Sequence, residues 1–157
     1  MTILIREFRP GDEANFRELN EAWITAYFTL EPKDSELLNH PQRHILDKGG
    51  FIYFAENTDT QQIVGCCALL AIGSATYEVG KMAVAENLRG QGVGRKLLRG
   101  VINAARLLGA RRLYLETNDS LTNAIALYLS EGFEHIPQED VKPSPLARAN
   151  VYMQQAL

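Results

Sequence analysis

The stretch "KMAVAENLRGQGVGRKLL", residues 81–98, leads from an apolar, strand-like segment through Gly90, Gly92 and Gly94 straight into a helix-forming run. Arg89, Arg95 and Lys96 flank the glycines. The start of a helix leaves backbone N–H groups unpaired and carries the positive end of the helix dipole. Glycines let the backbone approach a ligand closely and take conformations that other residues avoid. Together with the flanking cations, this describes a seat for a large anion such as a phosphate. A tight strand-to-helix turn without a ligand is the alternative, but a turn needs neither so many glycines nor the surrounding charge. Two familiar phosphate loops fail on spacing. A dinucleotide G-x-G-x-x-G begun at Gly90 or Gly92 requires glycine at Arg95 or Leu97, and a G-x-x-x-x-G-K-[ST] loop begun at Gly90 again requires glycine at Arg95. The pattern present is R-x-x-G-x-G, carried by Arg89, Gly92 and Gly94.

Outward from this loop, hydrophobic periodicity marks the other elements. Residues 2–8 read as a strand. Residues 11–28 read as an amphipathic helix with Phe16, Leu19, Ala22, Trp23, Ala26 and Tyr27 at helical spacing. Residues 31–50 are polar and broken by Pro32, Pro41, Gly49 and Gly50, which predicts loop with one or two short helices. Strands follow at 51–56, 62–72 and 76–84, separated by turn-like "NTDTQ" and "GSA", as in an antiparallel meander. Residues 94–110 place Leu97, Leu98, Val101, Ile102, Ala105 and Leu108 on one helix face, with Gly109 as the stop. A strand at 111–117, a helix over 120–133 capped by Ser120 or Thr122 and ended by Gly132, and strands at 133–137 and 150–157 complete the order. The strand–helix–strand unit over 77–116 implies a parallel crossover. The expectation is one α+β domain over residues 1–157, three-layer α/β/α, with helices covering a mixed, largely antiparallel sheet.

Composition bounds the function. Of 157 residues, 46% are hydrophobic and 22% charged, with a net charge of −3. That argues against a general nucleic-acid binder, which needs a basic face. The opening residues are interrupted by Arg6, Glu7, Arg9 and Asp12, so neither a signal peptide nor a membrane anchor is expected there. Cys66 and Cys67 are adjacent in an apolar run, where a strand points them to opposite faces as small core residues. No metal site is expected, and a cytoplasmic location is.

At this point the chain resembles the GNAT N-acyltransferase superfamily. The likeness rests on residues 81–98 and continues in "RRLYLETN", in "NAIALYLSEGF" with Asn123, Tyr128 and the closing Gly-Phe in register, and in "IREFRPGD" near the start. Within that superfamily, "LNEAWITAYFTLEPKD" (19–34) and "ARANVYM" (147–153) are similar to a bacterial subgroup, some members of which sit behind MarR-type DNA-binding domains; this chain is too short to carry one. The resemblance implies a sheet splayed at the cofactor strand and an acetyl-CoA cosubstrate. Its pantetheine would meet the backbone of Met82, Ala83 and Val84, and its pyrophosphate the loop Arg89, Gly90, Gln91, Gly92, Val93, Gly94 and Arg95. Asn123 would also contact the cofactor. A bulge near Met82 would part this strand from the next and free N–H groups to polarise the thioester.

The chemistry that the resemblance implies is acetyl transfer to a primary amine, most simply that of a small molecule. A protein amine and a non-catalytic acyl-CoA sensor are the alternatives, and a homodimer is left open. Tyr128 matches the family's proton donor to the departing thiolate; packing on the core is its other reading. Glu78, which strand alternation places on one face with Gly80, Met82 and Val84, is a candidate base or a solvated strand carboxylate. Glu116 is a rival base or amine anchor. Trp23, Tyr27 and Glu31, with Asp34 nearby, suit a cationic acceptor through aromatic faces and carboxylates. Trp23 and Tyr27 equally suit helix packing. Arg148 suits a carboxylate on the same molecule, as in an amino acid. His40, His44 and His135 read as surface residues.

Overall fold

A computed structural model describes residues 1–157. The runs rich in β-branched and aromatic residues form a single seven-stranded sheet. Its strands are β1 (Ile3–Glu7), β2 (Phe51–Asn57), β3 (Gln62–Gly73), β4 (Thr76–Val84), β5 (Arg112–Thr117), β6 (Glu134–Ile136) and β7 (Val151–Ala156). They lie in the order β1-β2-β3-β4-β5-β7-β6. All neighbours are antiparallel except β4 and β5, which run parallel. That one parallel pair follows from the helix between the two strands, because a parallel connection needs a crossover.

The helices are α1 (Glu13–Tyr27), α2 (Pro32–Asn39), α3 (Pro41–His44), α4 (Val93–Leu107) and α5 (Thr122–Ser130). One apolar layer lies between the sheet and α4, built on Leu97, Leu98, Val101, Ile102 and Ala105 against Cys67, Leu69, Leu113 and Leu115. The other lies toward α1 and α2, where Phe16, Ile24, Leu37 and Leu38 meet Cys66, Ala68, Ile52 and Phe54. Adjacent Cys66 and Cys67 thus belong to opposite faces, and both are fully buried. The expected three-layer α+β arrangement is the one found.

The feature that positions the site is an interruption in β4. Gly80 and Ala83 of β4 pair with Ala68 and Cys66 of β3, so β4 carries one extra residue between these pairs. Lys81, inside this bulge, has φ +48°, a left-handed conformation that costs a side-chain-bearing residue roughly 1–2 kcal/mol. Just before the bulge β4 leaves its other neighbour. The β4–β5 pairing covers Thr76 to Glu78 against Arg112 to Tyr114 and stops. Residues 79–84 of β4 and 115–117 of β5 then diverge, which opens a wedge in the middle of the sheet.

Several sequence expectations change here. Glu78 shares a face with Gly80, but not with Met82 and Val84: the extra residue at Lys81 resets the alternation, and Met82 and Val84 pack with the layer under α4. In α1 the buried residues are Phe16, Asn20 and Ile24, while Ala22, Ala26 and Tyr27 are exposed. The covered stripe is one residue out of step because Asn20 is drawn inward, donating to the Phe16 carbonyl and the Cys66 sulfur. Leu108 is 41% exposed, since α4 has already ended at Leu107. Neither Ser120 nor Thr122 caps α5. The N-cap position is Leu121, and the Asn118 side chain and carbonyl take the Ser120 and Leu121 amides instead.

Candidate active site

The wedge between β4 and β5 opens into a cavity of about 520 Å³. Met82, Ala83 and Val84 line one side of it, and Thr117 and Asn118 lie on the other. At one end the glycine loop leads into α4. Gly90 and Gly92 have φ +78° and +83°, so each adopts a conformation for which glycine is suited. Gly92 is the N-cap of α4 and no side chain caps the helix. The amides of Gly92, Val93, Gly94 and Arg95 donate to no group in the chain. They form a cluster of unpaired donors at a helix start with no acidic residue in the first turn, the arrangement an anion requires. The Val93 side chain is buried in the core, so only its amide is available. Gly94 faces the cavity between Met82, Val84 and Leu127. Gly90, Gln91 and Arg95 lie outside the cavity wall; Arg95 pairs with Glu131 and donates to the Ser130 hydroxyl. Arg89 reaches the cavity and donates to the Tyr27 hydroxyl at 3.1 Å.

On the α5 side, Asn123 is exposed in the first turn and lines the cavity. Tyr128, one and a half turns further on, also lines it. Its ring packs edge-on against Phe133, its hydroxyl has no partner in the chain, and burial pushes the phenol well above its ordinary range. It therefore keeps its proton at neutral pH.

The opposite end carries two carboxylates. Glu78, beside Tyr114 in the last β4–β5 pair, accepts no hydrogen bond from the chain. Burial, then the neighbouring Glu116 charge, pushes its carboxyl up to about 7. Glu116 is held by donors on both oxygens: the Tyr114 hydroxyl at 2.9 Å and the Ser144 hydroxyl at 2.6 Å.

The remaining sequence candidates are divided. Trp23 lines the cavity, but its ring is partly covered by the Arg148 guanidinium 5.9 Å from its centroid, and Phe28 takes the same cation. Tyr27, 59% exposed, sits beside Arg89 near the glycine loop rather than with Trp23. Glu31 is absent from the cavity wall. Its carboxylate caps α2 and accepts from the Ala147 amide at 2.9 Å, which makes it a structural tie. Arg148 is not free for a ligand carboxylate either, because it binds Asp34 through both terminal nitrogens at 2.7 and 2.6 Å.

Asp34, fully buried, is the residue that sequence reading undervalued, and Lys81 the one it missed. The Lys81 ammonium lies 2.6 Å from Asp34. Burial opposes ionisation of Asp34, but hydrogen bonds from Arg148, Lys81 and the Glu31 amide outweigh it and hold the carboxyl far below the usual range. The one lysine inside the strand-like "TYEVGKMAV" was the available signal, since a buried ammonium requires a counter-charge.

The acetyltransferase (GNAT) family profile matches residues 14–133, across the loop, the wedge and both flanking helices. The chain belongs to the acetyltransferase (GNAT) family. Among its relatives, a protein of Mycobacterium leprae is 33% identical over 144 residues, covering 85% of this chain and 35% of its own length. An N-acetyltransferase of Escherichia coli K12, itself uncharacterized, is 42% identical over 72 residues, covering 46% and 43%. The chain thus spans less than half the length of these two relatives. A GNAT-family acetyltransferase of Staphylococcus aureus Mu50 superposes with a TM-score of 0.87 at 24% identity, over 99% of both chains. A GNAT-family acetyltransferase of Elizabethkingia anophelis, solved with acetyl-CoA bound, gives 0.66 at 24% identity, over 99% of this chain and 98% of that one. At these identities the structural likeness concerns the GNAT fold. No helix of this GNAT chain is long and apolar enough to cross a membrane, and no group of three or more His, Cys, Asp or Glu side chains is placed to hold a metal ion.

Proposed function

We propose that this protein transfers an acetyl group from acetyl-CoA to the primary amine of a small molecule. The observation that carries the reading is the parting of β4 from β5 after Glu78, next to a helix start with four unpaired amides. The wedge offers a strand edge for an extended, amide-bearing pantetheine, and the loop Arg89–Arg95 offers donors for a pyrophosphate. Met82, Ala83 and Val84 would line the first, and Asn123 would flank the cofactor from α5.

In this reading the acceptor enters from the α1–α2 face, where Glu78 lies, while the thiol leaves toward α5, where Tyr128 lies. Glu78 takes a proton from the ammonium, directly or through water, and the neutral amine attacks the thioester carbonyl. A C–N bond forms and the C–S bond breaks. The departing sulfur takes the Tyr128 proton, and the second proton of the attacking nitrogen returns to the Tyr128 phenolate through water as the amide forms. A carboxyl near 7 suits a base that works at neutral pH; the donor role of Tyr128 rests on its protonated hydroxyl at the cavity wall, since burial makes the phenol a weaker acid than a free one. The segment around Ser144–Ala149 covers the acceptor end through the Ser144–Glu116, Ala147–Glu31 and Arg148–Asp34 contacts, which favours a small acceptor over a protein surface. The Arg148–Asp34 tie also joins the two segments, 19–34 and 147–153, on which the likeness to the bacterial subgroup with MarR-fused members rests.

The test is a CoA-release assay over amines, amino acids and peptides, run beside thermal-shift measurements with acetyl-CoA, ATP and NAD. Stabilisation by acetyl-CoA alone, with turnover of at least one small amine, is expected. Stabilisation without turnover on any amine would favour the acyl-CoA sensor instead.

A further inference from the structure

The proposed acceptor end has a charge balance that narrows its substrate. Four cationic side chains line the cavity: Lys33, Lys81, Arg89 and Arg148. Lys81 and Arg148 are both taken up by Asp34, and Arg148 also by Glu31 at 3.4 Å. Lys33 is on the rim, with its side chain 45% exposed, and pairs with Glu36. Arg89 stands beside Tyr27 near the glycine loop. None of the four is left inside the acceptor end to receive a carboxylate.

The two anionic side chains of the wall, Glu78 and Glu116, have no cation bound to them. Glu116 is oriented by neutral donors only, the Tyr114 and Ser144 hydroxyls, and Glu78 by none. They share a face, because Glu78 is in register with Tyr114, whose hydroxyl reaches Glu116. Glu116 lies two residues beyond Tyr114, so the two Cα positions are separated by roughly 7 Å along the strand and roughly 5 Å across it. Leu37, Leu70 and Leu146 supply apolar wall in the same cavity.

We propose that the acceptor is a short aliphatic diamine, with one amine at Glu78 for acetylation and the second, as ammonium, bound by Glu116. The inference rests on the acetyltransferase reading of this cavity. Glu116 is then a specificity residue that reads the far charge, and Glu78 the group that acts on the reacting nitrogen. A carboxylate at the far end of the acceptor would meet Glu116 with like charge and find no free cation. The apolar walls suit a methylene spacer between the two amines, and a chain of about four carbons is commensurate with the spacing of the two Cα positions.

The experiment compares three acceptors with the same four-carbon chain: 1,4-diaminobutane, butylamine and 4-aminobutanoate, assayed by CoA release on wild type and on Glu116→Gln. In wild type, kcat/KM for the diamine should exceed that for butylamine by about tenfold or more, with no measurable transfer to 4-aminobutanoate. Glu116→Gln should lower the diamine-to-butylamine ratio of kcat/KM about tenfold, because a change at the Glu78 base is common to both acceptors and only the diamine loses a partner for its far ammonium. Equal use of diamine and butylamine, preference for 4-aminobutanoate, or an equal loss on both amines in Glu116→Gln would overturn the diamine assignment while leaving acetyl transfer intact. No transfer to these three by an enzyme that acetylates another amine of the broader panel would overturn the diamine assignment alone; no transfer to any amine of that panel, with acetyl-CoA binding retained, would overturn the acetyltransferase reading as well. The wild-type comparison does not depend on how well the variant folds.

Discussion

The Lys81 ammonium and the Asp34 carboxylate meet at 2.6 Å: Asp34 is fully buried and the Lys81 side chain, at the cavity wall, is 7% exposed. The pair ties the bulge of β4 to the second helix, and Arg148 adds the C-terminal segment to the same carboxylate. Asp34→Asn leaves two buried cations without that charge. It should destabilise the fold by about 3–5 kcal/mol in denaturant unfolding. The wild-type profile should also have an acid limb. A carboxyl held below its unfolded pKa stabilises above the ordinary carboxylate range, and this contribution is lost as pH falls through the folded value. That limb should be shallower in Asp34→Asn.

Glu78 has the opposite sign. Its folded carboxyl is raised to about 7, so its favourable contribution is present in acid and lost as pH rises through 7. Glu78→Gln should therefore be more stable than wild type at pH 8, by on the order of 1–3 kcal/mol in denaturant unfolding, and the gain should shrink toward pH 5. The same variant should lose about 100-fold in kcat and the pH-rate inflection near 7. Equal stability at pH 8 would mean that the wild-type carboxylate is not penalised by its surroundings.

Tyr128→Phe keeps the ring that packs on Phe133 and removes only the hydroxyl. It should lower kcat about 10- to 100-fold with little change in acetyl-CoA affinity. Pre-steady-state acetyl transfer separates this from product release; an unchanged chemical step would remove Tyr128 from the mechanism.

Much of this arrangement is legible in the sequence because it is local. The glycine loop, its cations and the following helix lie within residues 89–107, and their meaning follows from how a helix begins. Strands 62–73 and 76–84 announce themselves by composition and the short turn between them. What stays hidden depends on one inserted residue or on distant partners. Strand alternation put Met82 on the face of Glu78, and only the bulge at Lys81 reverses that. Arg148 looked available to a ligand because Asp34, 114 positions earlier, is brought to it by the fold. Glu31 looked like a substrate residue for the same reason, although its spacing to Asp34 already fits a reciprocal helix cap.

The location of the cosubstrate is tested most directly at Gly92, whose φ of +83° and open surroundings isolate charge from crowding. Asparagine tolerates the left-handed conformation and has nearly the shape of aspartate, so Gly92→Asn and Gly92→Asp differ mainly by one negative charge. Calorimetric titration with acetyl-CoA should give Gly92→Asn an affinity within a few-fold of wild type and Gly92→Asp a loss of about 100-fold, since the carboxylate would stand in the proposed pyrophosphate seat. Equal affinity in the two variants, with both folded, would contradict a pyrophosphate seat at the start of α4.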